Sequence, residues 1–508
     1  MHRRPFAIIA LLLAGGCAGA RATTQPGVAT SGGTAALRAT IDSMVNAREF
    51  RNAHWGILIV DPAKGDTLYS HNASKLFMPA SNMKLLTGST ALTQLGADFR
   101  YRTTIATAGA VRDGVLEGDL LVFGRGDPTV SDHMRRDAML GLAEIADSLA
   151  AHGVRRVAGR VVASGDAFPG SVFGYGWTYD DFEDDYSAPI DELNFNEGFS
   201  TIVVRGGASP GDAVTVTTTP AHTFPRVRVL ATTVAASAEL ASASGNGNQR
   251  RRATATRIEV TKDSAFFGGF TVTGGVQAGD SVAVTVTHHD PDEAYVSALG
   301  EALRAKGIAV DGAVTRDSVS KLDTLFAVQS PPLREILPAL MKPSQNQIAE
   351  ILLRTLGLER TSVGSPDSGR AVVVRQLLTW GADSGGYLVR DGSGLSRYDY
   401  VTPETIVHVL QAMRQSPDFQ LFYESLPIAG VDGTIRTRMK GTKAEGNLHA
   451  KTGTVAQARS LSGYVTTADG RMLIFSMLCN NFTTPVSEVT RVQDVIGAAL
   501  AALGASAK

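Results

Sequence analysis

Cysteine is nearly absent from this chain: Cys17 and Cys479 are the only two in 508 residues. Two thiols cannot build a disulfide framework, a cysteine zinc cluster or an iron–sulfur centre. A dominant charge is missing as well. Lys and Arg total 48 and Asp and Glu 49, a net charge of −1, so nothing draws the chain generally to nucleic acid or anionic lipid. No internal repeat of about 20–50 residues occurs, which excludes solenoids and propellers. There is no Gly-Lys-Ser/Thr, no His-Glu-x-x-His and no Gly-x-Gly-x-x-Gly, hence no phosphate loop, zincin helix or dinucleotide fingerprint. The ten histidines show no ligand spacing, and His288-His289, just ahead of Asp290-Pro291, reads as a surface turn. No metal and no cofactor are expected.

The remaining composition, 44% apolar and 19% charged, is that of a folded globular protein. Its length suggests about three domains. His2-Arg3-Arg4 followed by an apolar run from Phe6 has the layout of an export signal. The run is shorter than the roughly twenty residues that span a bilayer. Two processing routes are open: cleavage after Ala20 in Ala18-Gly19-Ala20, or cleavage before Cys17, whose context is similar to a lipoprotein box and would place a lipid there. Either route predicts an exported protein of the periplasm or cell envelope, touching membrane only through Cys17.

Trp55 to Val60 reads as a strand that pairs with Leu68–His71, and from Asn82 the pattern turns helical up to Gly96. Residues 100–290 have another texture, with short Val/Thr-rich runs separated by Gly-Asp and Asp-Gly turns. Ala235–Arg252 is of low complexity and ends in Arg250-Arg251-Arg252, a solvated loop tip. Helical patterns return at 293–306, 333–340, 347–356, 371–380 and 403–414, and a final hairpin around Asp469-Gly470 precedes a last helix. The predicted organisation is a signal peptide over 1–20, a flexible leader over 21–35, a split catalytic domain over 36–97 and 285–508, an inserted domain over 98–199 and 276–284, and a nested β-rich unit over 200–275.

One Gly-x-Ser-x-Gly, Gly207–Gly211, lacks the following helix that a nucleophile elbow needs. A better nucleophile stands at Pro79-Ala80-Ser81-Asn82-Met83-Lys84. Residues three apart on a helix share a face, which puts the Ser81 hydroxyl beside the Lys84 amine. Lysine can take that proton only if burial, another cation or the helix N-terminus lowers its pKa. Ser-x-x-Lys alone says little, and Ser318-Val319-Ser320-Lys321 repeats it without a helix. The order carries more: Ser81/Lys84 opens a helix, Ser344-Gln345-Asn346 precedes another, and Lys451-Thr452-Gly453 opens a C-terminal strand.

This ordered triplet resembles penicillin-binding proteins and serine β-lactamases. Gly118-Asp119-Leu120 with Gly126-Asp127-Pro128, Ser344 to Glu350, Asp391 to Arg397, and Gly430 to Thr434 narrow the resemblance to the class C low-molecular-mass penicillin-binding proteins, peptidase family S13. Ser81 and Ser344 lie 263 positions apart; serine β-lactamases have a much shorter gap. The resemblance implies an α/β (α+β) fold, an antiparallel sheet flanked by helices, carrying a large β-rich insertion. It implies a D-alanyl-D-alanine carboxypeptidase/endopeptidase acting on peptidoglycan stem peptides and cross-links, with β-lactam antibiotics as inhibitors. Ser81 would attack and Lys84 would take its proton. Ser344 would relay a proton, and Asn346 would orient Lys84 and the substrate amide. Lys451 and Thr452 would hold the terminal carboxylate, next to Gly453, and the N–H groups of Ser81 and Thr454 would form the oxyanion hole. Asp181, Tyr186 and Arg397 would contact a diaminopimelate-like side chain. The plainer reading of 180–185 is a solvated acidic loop, that of Asp391–Gly394 a tight turn, and that of Cys479 a core residue. Two other functions stay open: a β-lactamase-like hydrolase and a non-catalytic peptidoglycan-binding protein on the same fold.

Overall fold

The computed structural model describes residues 33–182, 184–221, 226–235, 258–262, 269–317 and 322–504. The expected signal, Cys17, most of the leader, the Arg250–Arg252 tip and Ser318–Lys321 lie outside these residues. Among the described residues, no helix is long and apolar enough to cross a membrane.

The first described element is α1 (Thr34–Val45), which takes over the last two residues expected of the leader. Then come β1 (His54–Asp61), β2 (Asp66–His71), a 3-10 turn over Ala80–Asn82, and α2 (Met83–Leu95). Gly96, at φ 87°, ends α2.

The insertion follows. Strands β3 (Arg102–Thr107) and β4 (Leu120–Phe123), helix α3 (Met139–Ala151) and β5 (Val161–Ala163) form its first part. Among its described residues, a strap over 171–190 has only 3-10 turns as regular structure. The nested unit contains β6 (Phe199–Arg205), β7 (Thr215–Thr219) and β8 (Ser281–Thr287), paired in the order β7-β6-β8. A second small sheet lies beside it, and Ile202, Val204, Phe270 and Val272 fill the space between. His288, expected on the surface, is buried, its Nε2 2.8 Å from Ser200 Oγ.

Helix α4 (Pro291–Ala305) and strands β9 (Val314–Arg316) and β10 (Asp323–Gln329) come next. Strand β9 runs parallel to β5, and β10 runs antiparallel to β3, giving a five-stranded sheet β9-β5-β4-β3-β10. Tyr295, Leu299 and Leu303 of α4 share one core with Leu142, Ile145 and Leu149 of α3. The pairing and the shared core tie 291–329 to strands and helix within 102–163. Helix α3 also makes the insertion less purely β than its Val/Thr texture suggests.

After the insertion come α5 (Leu333–Met341), α6 (Asn346–Thr361), α7 (Pro366–Thr379) and α8 (Pro403–Gln415). Strands β11 (His449–Val455), β12 (Ala458–Thr466) and β13 (Met472–Asn480) and helix α9 (Val486–Ala502) close the chain. The main sheet is antiparallel, in the order β2-β1-β13-β12-β11. Side chains alternate between its faces, as strand geometry requires. Leu58, Val60, Ile474 and Leu478 join α2, α5, α6 and α8 in one core. Ile57, Ile59, Phe475, Met477 and the buried Cys479 join α1 and α9 in the other. This three-layer arrangement fixes edge strand β11 against the start of α2.

Candidate active site

The closeness of these two elements has a residue-level cause. A Cβ on Gly453 would stand 2.8 Å from Ser81 N, 2.6 Å from Pro79 O and 2.2 Å from Ser460 Oγ. Only glycine lets β11 lie so near the turn that carries Ser81. Ser460 Oγ donates to Pro79 O at 2.7 Å, and Asn82 Nδ2 donates to Lys451 O at 2.8 Å, so the turn is tied to both β12 and β11.

Lys84 is fully buried one turn beyond Ser81. Its Nζ lies 2.9 Å from Ser81 Oγ, 2.6 Å from Asn346 Oδ1 and 2.8 Å from Ser393 O. Burial pushes its pKa down to about 7, against the pull of Asp391, Glu350 and Asp399. Asn346 opens α6 and uses both ends of its amide: Oδ1 faces Lys84, and Nδ2 donates to Tyr186 O at 2.7 Å. A flipped amide would set two acceptors face to face at Tyr186 and two donors at Lys84.

Lys451 is also fully buried. Its Nζ donates to Ser344 Oγ at 2.7 Å and to Thr452 O at 2.9 Å. Burial, then Lys84, then Arg459 push its pKa well below the ordinary lysine value. Ser344 adopts φ 70°, a left-handed conformation costly for a residue with a Cβ. The loop after it is held by Gln345, whose side chain accepts from Gln347 N at 2.6 Å and donates to Glu197 of the insertion. Thr452 Oγ1 meets Thr434 Oγ1 at 2.7 Å.

A cleft of about 440 Å³ opens over this centre, lined by Ser81, Ser344, Asn346, Thr454, Asp181, Tyr186 and Arg397 among others. Seven of the eleven expected site residues thus share one cavity. The other four, Lys84, Lys451, Thr452 and Gly453, are buried behind its wall. Burial lowers the pKa of both lysines, and among the residues lining the cleft Arg397 is the one cation, with Asp181 as its acidic counterpart. Tyr186 OH lies 2.9 Å from Asp181 Oδ1 and 2.7 Å from Asp184 Oδ2; its single proton serves one at a time. The strap is fastened to the site at both ends. Trp177 Nε1 donates to Asp391 Oδ2 at 3.0 Å, while the carbonyls of Asp185 and Tyr186 accept from Gln347 and Asn346. The acidic segment is therefore more than a free loop.

Glu350 and Ser393 lie in motif stretches that assign them no role in this site, and Arg459 lies outside the motifs. The signal for Glu350 was an acid inside the apolar run Ile348–Leu353. Arg459 contacts Thr454 Oγ1 from β12. Among the described residues one carboxylate group, Asp191, Glu192 and Asp292, brings its oxygens within 4.8 Å of one another as a cation site would. Arg316 already stands 3.4 Å from Asp191 and 3.3 Å from Asp292 there, and the cleft lining does not include them.

A sheet between two helical layers, with a serine one turn ahead of a buried lysine and a second buried lysine on the edge strand, defines the penicillin-binding-protein and serine β-lactamase class. Within that class residues 37–501 match the D-Ala-D-Ala carboxypeptidase 3 (S13) family, and the chain belongs to it. It is a hydrolase of the carboxypeptidase and penicillin-binding-protein type. The D-alanyl-D-alanine carboxypeptidase of Actinomadura sp. (strain R39) is 34% identical over 482 residues, covering 92% of this chain and 84% of that protein. The crystal structure of penicillin binding protein 4 from Haemophilus influenzae shares the fold, with a TM-score of 0.75, 23% identity, and coverage of 91% of this chain and 99% of that one. A second structure of that protein, complexed with a β-lactam, has a TM-score of 0.69 at 24% identity, covering 90% of this chain and 98% of that one.

Proposed function

We propose that Ser81 is the nucleophile of a D-alanyl-D-alanine carboxypeptidase/endopeptidase working on peptidoglycan stem peptides and their cross-links in the cell envelope. One observation carries this reading: the three neighbours of Lys84 Nζ match the needs of a neutral amine. Such an amine has two N–H donors, which Asn346 Oδ1 and Ser393 O accept. Its lone pair is left for the Ser81 O–H, 2.9 Å away. The lowering of Lys84 toward neutrality supports the same protonation state.

Ser81 Oγ bonds to the carbonyl carbon of the penultimate D-alanine as its proton passes to Lys84. The N–H groups of Ser81 and Thr454 receive the oxyanion; losing one such donor typically costs about 10²–10³ in rate. Collapse breaks the C–N bond, and Ser344 relays a proton to the departing amine. Water then cleaves the ester, returning Ser81 to its free form. Lys451 and Thr452 hold the terminal carboxylate of the substrate, a charge-assisted contact once Lys451 is protonated. Asp181, Tyr186 and Arg397, on the far side of the lining, receive the ammonium and carboxylate of a diaminopimelate-like side chain. The residues before 98 and from about 330 onward serve as the catalytic domain, and those between as the insertion.

The test is labelling with a fluorescent penicillin, combined with mass analysis of digested monomeric and cross-linked muropeptides. A stable adduct on Ser81, lost in Ser81→Ala, together with release of D-alanine or uncrosslinked monomers, is the expected result. Rapid penicillin turnover would instead identify a β-lactamase-like hydrolase. Absence of both labelling and digestion would identify a non-catalytic binding protein.

A further inference from the structure

We propose that Glu350 is the positioning residue of the Lys84 base, acting through the backbone of the 391–394 loop. The proposal rests on the reading of Lys84 as the base. Glu350 lies one turn beyond Asn346 on the same face of α6 and is buried. Its Oε1 accepts from Gly392 N at 3.0 Å and Ser393 N at 2.8 Å. With those N–H groups turned toward α6, the Ser393 carbonyl faces Lys84 Nζ at 2.8 Å. Helix α6 thus sets both acceptors of the amine: Asn346 directly, and Ser393 O through Glu350.

The loop has little freedom to take another course. A Cβ on Gly392 would stand 2.6 Å from Ala349 O, and one on Gly394 would stand 1.9 Å from Ala80 O. The loop is therefore wedged between α6 and the turn bearing Ser81. Thr87 Oγ1 of α2 donates to Gly392 O at 2.9 Å. Asp391 Oδ1 accepts from Gly394 N at 2.6 Å, and Asp399 Oδ1 accepts from Arg390 N at 2.6 Å. A carboxylate accepting two backbone N–H groups is the remaining fixture on the α6 side.

The charges facing Glu350 are Asp391 from the loop, Lys84 from α2 and Arg354 one turn further along α6. A negative Glu350 favours the ammonium form of Lys84, so its removal lets the lysine lose its proton at lower pH. Burial and then Asp391 push the Glu350 carboxyl itself up to about 7.

The experiment compares Glu350→Gln and Glu350→Asp by the rate of Ser81 acylation with a chromogenic cephalosporin, from about pH 5 to about pH 9. Both hydrogen bonds end on one oxygen, so glutamine can keep them while removing the charge. Glu350→Gln is expected to retain the plateau rate within about threefold and to shift the acid limb to lower pH by roughly half a unit or more. Glu350→Asp, with its carboxylate drawn back from the loop, is expected to retain the limb and lose about tenfold in plateau rate with the affinity of the first encounter nearly unchanged. Melting temperatures establish that both variants fold. Two folded variants with wild-type profiles, or a uniform loss at every pH in both, overturn the proposal. Wild-type protein that takes no label on Ser81 overturns the functional reading itself, an outcome distinct from either.

Discussion

The two walls of the cleft each present a lysine that water cannot reach, and the walls differ in what surrounds it. On the helical wall Lys84 is opposed by three carboxylates, Asp391, Glu350 and Asp399. On the sheet wall the charges acting on Lys451 are the cations Lys84 and Arg459. Burial lowers both lysines, but only Lys84 has resident counter-charges to halt the fall near neutrality. The difference separates two tasks. A group that takes and returns a proton at neutral pH needs a pKa near 7. A group that holds an anion benefits from a vacancy in negative charge, which the incoming carboxylate fills.

Removing each lysine in turn tests this separation most severely. Lys84→Ala is expected to lower acylation by roughly 10²–10⁴, chiefly in the chemical step, because the proposed base is gone. Lys451→Ala is expected to act chiefly on KM for peptides with a free C-terminal carboxylate. It forfeits a hydrogen bond to a charged group worth about 1.5–3 kcal/mol, roughly ten- to a hundredfold. The pair is read by comparing kcat and KM on a free D-Ala-D-Ala peptide and its C-terminal amide. Equal losses on both substrates for both variants would erase the distinction between the walls.

A smaller effect is expected where the walls touch. Gly453→Ala drives a methyl toward Ser81 N, Pro79 O and Ser460 Oγ. Overpacking of this kind costs about 1–3 kcal/mol, and here it also moves Ser81, the proposed nucleophile. A lower melting temperature together with slower acylation is expected. Gly385→Ala, on an exposed turn whose nearest neighbour would be Asp383 Oδ1 at 3.7 Å, should change stability by less than about 0.5 kcal/mol. Undiminished acylation in Gly453→Ala would mean that the walls are not in such close register.

What the sequence made legible follows the same division. The helical wall announced itself locally, since Ser81 and Lys84 sit three apart on a helix pattern. Ser344, Asn346 and Lys451 could be named from their motifs, but their meeting depends on β11 being the edge strand of β2-β1-β13-β12-β11, and no local pattern encodes that order. The Asp391–Gly394 stretch reads correctly as a turn, yet its contribution is a backbone carbonyl, to which residue identity gives no clue. The tie between 291–329 and residues 102–163 is hidden from the sequence for a related reason. Their parallel pairing with 156–163 is non-local, whereas the helical pattern of α4 looks alike in either domain. Helix α3 was legible in Leu142, Ile145, Ala146 and Leu149, spaced i, i+3, i+4, i+7, but was hidden by the Val/Thr-rich runs on either side.

The finest difference between the walls is a proton. If the vacancy around Lys451 is filled by the substrate carboxylate, binding raises a pKa that burial and two cations had lowered. Well below the free pKa the ammonium is already present, and binding takes up nothing. As pH rises through that value, uptake grows toward about one proton per ligand, and it vanishes again above the bound pKa. Calorimetry of a D-Ala-D-Ala peptide binding to Ser81→Ala, in buffers of different ionisation enthalpy at successive pH values below the ordinary lysine value of 10.5, reads this number directly. The background prevents acylation, so only binding is observed. Lys451→Arg, permanently charged, is expected to retain carboxylate affinity and lose the uptake. Uptake that persists in Lys451→Arg would transfer the proton to Lys84 and the other wall, and no uptake at any pH would mean that Lys451 holds its charge before substrate arrives.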